Sequence, residues 1–135
     1  MSELILKMKG IDKSFVGVHA LKEVDFDLYK GEVHALMGEN GAGKSTLMKV
    51  LTGIYALDRG EITFEGQKVK FESPRESQDA GISIVHQELN MMNHLTVAQN
   101  IFIGREIMTG KLINDRKMNE EAKKLFQKLN IEIDP

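Results

Sequence analysis

Val33-His34-Ala35-Leu36-Met37-Gly38-Glu39-Asn40-Gly41-Ala42-Gly43-Lys44-Ser45-Thr46 decides how the rest of this 135-residue chain is read. Val33 to Met37 is a short run with apolar residues on both faces, the pattern of a buried central strand. It enters Gly38 to Ser45, which matches G-x-x-x-x-G-K-[ST] in full. From Lys44 the period changes. Leu47, Val50, Leu51 and Ile54 fall at i, i+3, i+4 and i+7 on one helix face, and Gly53 is placed to end the helix. Glycines at 38, 41 and 43 permit backbone conformations that turn successive N–H groups inward. Together with Glu39, Asn40 and Ala42 they form a nest for phosphate oxygens at the positive end of the following helix. Lys44 supplies a flexible full charge for β- and γ-phosphates, the Ser45 hydroxyl can ligate Mg2+, and Thr46 adds a hydroxyl contact. The guanine-reading N-K-x-D and the switch D-x-x-G are absent, so ATP with magnesium is favoured by exclusion.

Upstream, Leu4, Leu6 and Met8 alternate with polar or small residues, as do Val24, Phe26 and Leu28, which predicts two half-buried antiparallel strands. Downstream, Glu61 to Phe64 and Lys68 to Phe71 flank Glu65-Gly66-Gln67 as a hairpin. Ser73-Pro74-Arg75-Glu76 is an S-x-x-E capping box with proline at the first helical position, and Gly81 follows where a C-terminal cap would sit. Ile82 to Val85 reads as another buried strand ending at His86-Gln87. Thr96 to Gln99 is a second box, opening a short helix toward Gly104. Met118, Ala122, Leu125 and Leu129 mark one stripe of an amphipathic helix capped by Asp115, with Glu120 and Lys124 paired at i, i+4 outside. A boundary near Gln87 separates residues 1–86, antiparallel β plus phosphate-loop α/β core, from an all-helical part, 87–135.

A 41% hydrophobic content is enough for one globular core of this size. Eighteen basic against twenty acidic residues leave a net charge of -2, so bulk electrostatics offers no reason to expect nucleic acid as a partner. With no cysteine there is no disulfide, thiolate metal site or thiol nucleophile. The start is broken by Glu3, Lys7 and Lys9 and does not read as a signal peptide, and no run is long enough to span a bilayer. His19, His34, His86 and His94 have no metal-ligand spacing.

Lys13-Ser14-Phe15 with His19-Ala20-Leu21, the phosphate loop, Gly81 to Asn90 and Leu95 to Ile101 together resemble a known family. They are similar to the ATP-binding subunits of ABC transporters and, within these, to monosaccharide importers of the ribose, galactose and xylose type. The resemblance implies a partial P-loop NTPase (ABC ATPase) fold, α/β, with an antiparallel β subdomain and the start of a helical subdomain. It implies that Phe15 stacks on adenine and that Gln87 reaches magnesium and the attacking water, making Lys44 and Gln87 the catalytic pair. It also implies a transmembrane permease subunit and a second nucleotide-binding domain as partners, a sugar-binding protein indirectly, and a cytoplasmic place at the inner face of the membrane. Read from the residues alone, Phe15 is equally a core residue of the first strand pair, Gln87 a solvated loop residue, and Met91-Met92 either core or a contact surface.

The second half of such a domain has no counterpart here. After Gln87 the only glycines are Gly104 and Gly110, so an L-S-G-G-Q-like signature is absent. No run of four apolar residues precedes Asp-Glu, His94 lies in a polar loop, and Asp134 is a poor substitute for the catalytic acid. The expectation is therefore the N-terminal half of a nucleotide-binding domain that binds ATP without efficient turnover. Its Val33 to Met37 strand would lack neighbours. The other readings are a non-catalytic nucleotide-binding or interaction module and another P-loop NTPase such as a small kinase, for which no acceptor site or lid is evident.

Overall fold

The computed structural model describes residues 3–86 and 91–135. The chain divides into two compact units, Met1–Val85 and His86–Pro135.

The first unit is built on β1 (Leu4–Phe15), β2 (Val18–Tyr29), β3 (Arg59–Phe64) and β4 (Gln67–Val69), an antiparallel sheet in the order β2-β1-β3-β4. Leu6 and Met8 are buried while Lys7 and Lys9 are exposed, the alternation of a sheet with one wet face. At Gly10 (φ 58°) the parity breaks. The register slips between Met8 and Ile11 against β2 and between Lys9 and Asp12 against β3, so β1 carries a bulge there. Ile11 is fully buried, and beyond it the register against β2 slips again between Ile11 and Lys13 and between Lys13 and Ser14. α1 (Lys44–Leu51) covers the buried face, and Leu47, Val50 and Leu51 form one core with Leu6, Met8, Ile11, Leu21 and Ile62. Gly53, at φ 72°, follows the C-cap Thr52 and turns the chain away. α2 (Pro74–Asp79) starts as expected: Ser73 Oγ accepts from the Glu76 N–H, although the Glu76 carboxylate accepts from Glu72 rather than from Ser73.

Three details of this unit depart from the sequence reading. The β3–β4 turn is the two-residue Glu65-Gly66, both at positive φ, so Gln67 pairs with Phe64 and the strand ends at Val69. Positive φ at both central residues is the twist a tight hairpin prefers, and Glu65 accepts it. Segment 33–37 is not a buried strand: it pairs with no described strand, and Val33 and Met37 are 98% and 87% exposed. Segment 82–85 is likewise unpaired, with Val85 exposed and only Ile82 packed against the core. The physical reason is common to both. An apolar run specifies that a segment seeks burial, whereas a strand exists through its ladder, and no described strand lies beside either one.

The second unit holds α3 (Val97–Ile101), a small hairpin of β5 (Met108–Thr109) and β6 (Leu112–Ile113), and α4 (Asp115–Leu129). Thr96 and Gln99 form the full reciprocal box at the start of α3. Asn100 fixes the preceding loop, its amide accepting from the Met92 N–H and donating to the carbonyls of Met92, Leu95 and Thr96. The cap of α4 is Asn114, whose Oδ1 accepts from the Lys117 N–H at 2.9 Å, and Asp115 is the first helical residue. An amide acceptor one position earlier reaches the N3 donor with ordinary geometry, leaving Asp115 to act on the helix dipole. The buried stripe is Met118, Ala122 and Phe126, packed with Ala98, whereas Leu125 and Leu129 are exposed. A strict i, i+4 step tracks the face nearest α3, and a step of three carries Leu125 off it. Lys124 pairs with Glu121 instead of Glu120, which Arg116 takes. The β5–β6 hairpin carries no sequence signal long enough to predict it.

Candidate functional site

The phosphate loop stands open at the N-terminus of α1. Gly41 and Gly43 take φ 87° and 88°, and the Ala42 N–H closes a turn onto the Glu39 carbonyl. Gly43 is the N-cap, with no side chain bonded to the first helical N–H groups and no acidic residue in the first turn. The positive end of α1 is thus left for an anion. Gly43 is glycine for two reasons. Its φ is left-handed, and a Cβ there would lie 2.7 Å from the Ala20 carbonyl oxygen and 2.9 Å from Leu21 Cδ2. The loop therefore rests directly on β2. A Cβ on Gly38 would come 3.2 Å from the Ala42 Cβ, which keeps the mouth of the loop narrow.

Lys44 folds back over the loop. Its Nζ donates to the carbonyls of Gly38 at 2.5 Å and Glu39 at 2.7 Å, which holds the cation above the nest where phosphate charge would be met. Ser45 is exposed at the second position of α1, and Thr46 at the third is half-buried.

Phe15 ends β1 and is 40% exposed, so it is not a core residue. Its ring meets Tyr55 edge to face, with centroids 5.0 Å apart at 73°. Lys13 Nζ stands 5.4 Å from the Phe15 centroid and Lys49 Nζ 5.3 Å from that of Tyr55. Asp58 ties this end of β1 down: Lys13 Nζ donates to it at 2.8 Å and the Ser14 N–H at 2.7 Å. Those two donors, Lys13 first, hold the Asp58 carboxyl below its ordinary value. Sequence reasoning missed Tyr55 and Asp58. They lie some forty residues beyond the strand they serve, in a turn after α1, and no spacing rule links the two.

Gln87 lies outside the described residues. His19 bonds Asp12 at 2.9 Å and His34 bonds Glu32 at 3.0 Å, while the His34 ring meets Phe26 edge to face. The Glu32 carboxyl is lowered by the Tyr29 N–H first and by His34 second. Among the described residues no cluster of three or more His, Asp or Glu side chains could hold a metal ion. The second unit contains a cavity of about 220 Å³ lined mainly by Leu95, Ile103, Ile113 and Met118 with the carboxylates Glu106 and Asp115. None of the sequence-predicted site residues lines it.

A family model described as "ABC transporter" matches residues 21–134. A protein of Burkholderia cenocepacia, provisionally named a ribose/galactose/methyl galactoside import ATP-binding protein, is 54% identical over 97% of this chain, which spans 26% of that protein. A xylose import ATP-binding protein of Geobacillus kaustophilus is 52% identical over 100% of the chain, or 27% of its own length. The chain thus spans about a quarter of the curated relatives it matches. Among solved structures, a nucleotide-free ATP-binding cassette from an ABC transporter superposes with a TM-score of 0.78 at 30% identity, covering 95% of this chain and 55% of that one. The ADP conformation of an ATP-binding cassette gives 0.76 at 30% identity, with coverage of 96% and 55%. The fold is a partial ABC ATPase fold, and the chain belongs to the ABC transporter family.

Proposed function

We propose that this chain is the nucleotide-binding portion of the energy-coupling ATPase subunit of a monosaccharide importer. The carrying observation is the N-terminus of α1, which has no side-chain cap, is flanked by left-handed glycines and is overhung by the Lys44 ammonium. ATP sits with its phosphates in the nest of residues 38–46, and Lys44 exchanges its two carbonyl partners for β- and γ-phosphate oxygens. Ser45 and Gln87 would hold Mg2+, which when bound neutralises charge between those phosphates. Phe15, exposed at the end of β1, stacks on adenine.

The parent protein hydrolyses ATP to drive import, with a transmembrane permease and a second nucleotide-binding domain as partners and a sugar-binding protein acting through the permease. The names of the relatives support sugar import. No helix among the described residues is long and apolar enough to cross a membrane, and attachment at the inner face of the membrane runs through the permease. This chain alone binds ATP without efficient turnover. Phosphoryl transfer is accelerated by positioned charges and donors, and the sequence carries no apolar-run-Asp-Glu and no signature glycines after Gln87.

Two measurements test the reading. Phe15→Ala should weaken ATP and ADP alike, because both share the base, while the loss at Ser45→Ala should depend on magnesium. Steady phosphate release by the chain alone, abolished by Lys44→Ala, would overturn binding without turnover.

A further inference from the structure

The ring of Phe15, though exposed, is not without neighbours. β1 slips its register against β2 between Met8 and Ile11, Ile11 and Lys13, and Lys13 and Ser14, and at the end of this irregular stretch the Phe15 ring abuts Tyr55. Tyr55 is itself fixed to the C-terminal end of α1: its N–H and that of Ile54 both donate to the Lys49 carbonyl, at 3.0 and 2.9 Å. Gly53, at φ 72°, packs so closely that a Cβ would lie 2.9 Å from the Ser73 carbonyl oxygen, so the turn carrying Tyr55 is held from below. Three residues further on, Asp58 fastens Lys13 and Ser14, and its own N–H donates to the Asp12 carbonyl at 3.0 Å. The opposite end of the same helix is the phosphate nest, with Gly43 seated on Ala20 and Leu21 of β2.

We infer that Tyr55, with Asp58, is the positioning residue for Phe15, so that α1 acts as a rigid spacer between the base-contacting ring and the phosphate loop. The inference rests on the reading of Phe15 as the adenine contact. Eight helical residues span about 12 Å. One end of that rod presents free N–H groups, and the other, through Tyr55, limits the tilt of the ring. In this role Tyr55 acts through the Phe15 ring it meets, and Asp58 through Lys13 and Ser14. Their effect is to remove orientations of Phe15 that would have to be given up on binding.

The test uses the intact protein with two probes, magnesium ATP and magnesium tripolyphosphate, the second having phosphates and no base. Phe15→Ala should weaken ATP about two- to tenfold and leave tripolyphosphate unchanged. Tyr55→Leu should weaken ATP by a smaller factor within that range, also without effect on tripolyphosphate, and Tyr55→Phe should restore it. In a Phe15→Ala background, Tyr55→Leu should then have no further effect, because the ring it positions is gone. Asp58→Asn is a second, surface variant with the same expectation should Tyr55→Leu fail to fold. If Tyr55→Leu or Asp58→Asn lowers ATP affinity by the same factor with and without Phe15, or weakens tripolyphosphate equally, the positioning role is overturned while base stacking stands. If Phe15→Ala itself leaves ATP affinity unchanged, base stacking falls and the positioning role falls with it.

Discussion

Two parts of the first unit carry the same kind of sequence and end differently. In β1 to β4, apolar residues alternate, each strand meets its partner across the sheet, and Met8, Ile11 and Ile62 become almost wholly inaccessible. In segments 33–37 and 82–85 the apolar residues are as dense, yet Val33, Met37 and Val85 stand in solvent. The difference lies in who supplies the partner. The hairpins β1–β2 and β3–β4 close through two-residue turns, so pairing is a local event with little loop entropy. A parallel strand must recruit neighbours through long crossovers, and its pattern says nothing about where they are.

The comparison breaks most visibly in stability. Ile62→Ala, in the middle of the paired sheet, should cost about 2–5 kcal/mol, whereas Val85→Ala should stay within about 0.5 kcal/mol. Urea unfolding measures both, and equal losses would mean that segment 82–85 belongs to the core after all.

The loop joins the two kinds of region and gives the next contrast. Gly41→Ala meets only the cost of a left-handed φ, about 1–2 kcal/mol, since nothing lies within 4 Å of the added carbon. Gly43→Ala meets the same cost and a backbone oxygen at 2.7 Å besides, so it should lose more stability and more nucleotide affinity than Gly41→Ala. Similar losses would mean that the seat of the loop on β2 is soft.

The phosphate loop, its helix and the antiparallel sheet were legible because each is dictated by neighbours in sequence: glycine spacing, the switch of period at Lys44, and alternation in β1 and β2. The Thr96–Gln99 box was legible for the same reason. The exposed face of Phe15 was harder. Alternation from Leu6 and Met8 cannot be carried on to Phe15, because the register against β2 slips between Met8 and Ile11 and twice more before Ser14. Tyr55 and Asp58 could not be found from local pattern, because their partners lie on a strand far upstream. In the second unit the error was a single step of phase, which chose Leu125 and Leu129 over Phe126. The cap was likewise displaced by one residue, since Asn114 and Asp115 are both good cap formers and only geometry separates them.

That displacement is testable. Asn114→Ala should destabilise by about 1 kcal/mol, and Asp115→Ala by about half of that or less, read as helix loss and thermal midpoint. The reverse order would return the cap to Asp115. The smallest effect concerns acid. Glu32, Asp58, Glu61 and Glu121 are each lowered from their ordinary values, by the Tyr29 N–H, Lys13, Lys68 and Lys124 respectively as the leading donors. Each therefore binds its proton more weakly folded than unfolded. The contribution is present above the ordinary carboxyl values of 4.5 for Glu and 3.8 for Asp and fades as pH falls through and below them. Glu32, Asp58 and Glu61 are exposed and Glu121 is half-buried at the surface, so screening by salt should remove most of the effect. A stability profile from pH 6 to pH 3 at low and high salt measures it, and acid sensitivity that survives high salt would point elsewhere.

The central claim is that residues 38–46 hold the phosphates of ATP, with Lys44 as the main charge. Titration with a fluorescent ATP analogue in the presence of magnesium, on the wild type and on Lys44→Ala of equal folded content, tests it most directly. Loss of a charge-assisted contact to phosphate predicts about ten- to a hundredfold weaker binding. Equal affinity for the two proteins would contradict the assignment of this loop as the nucleotide site.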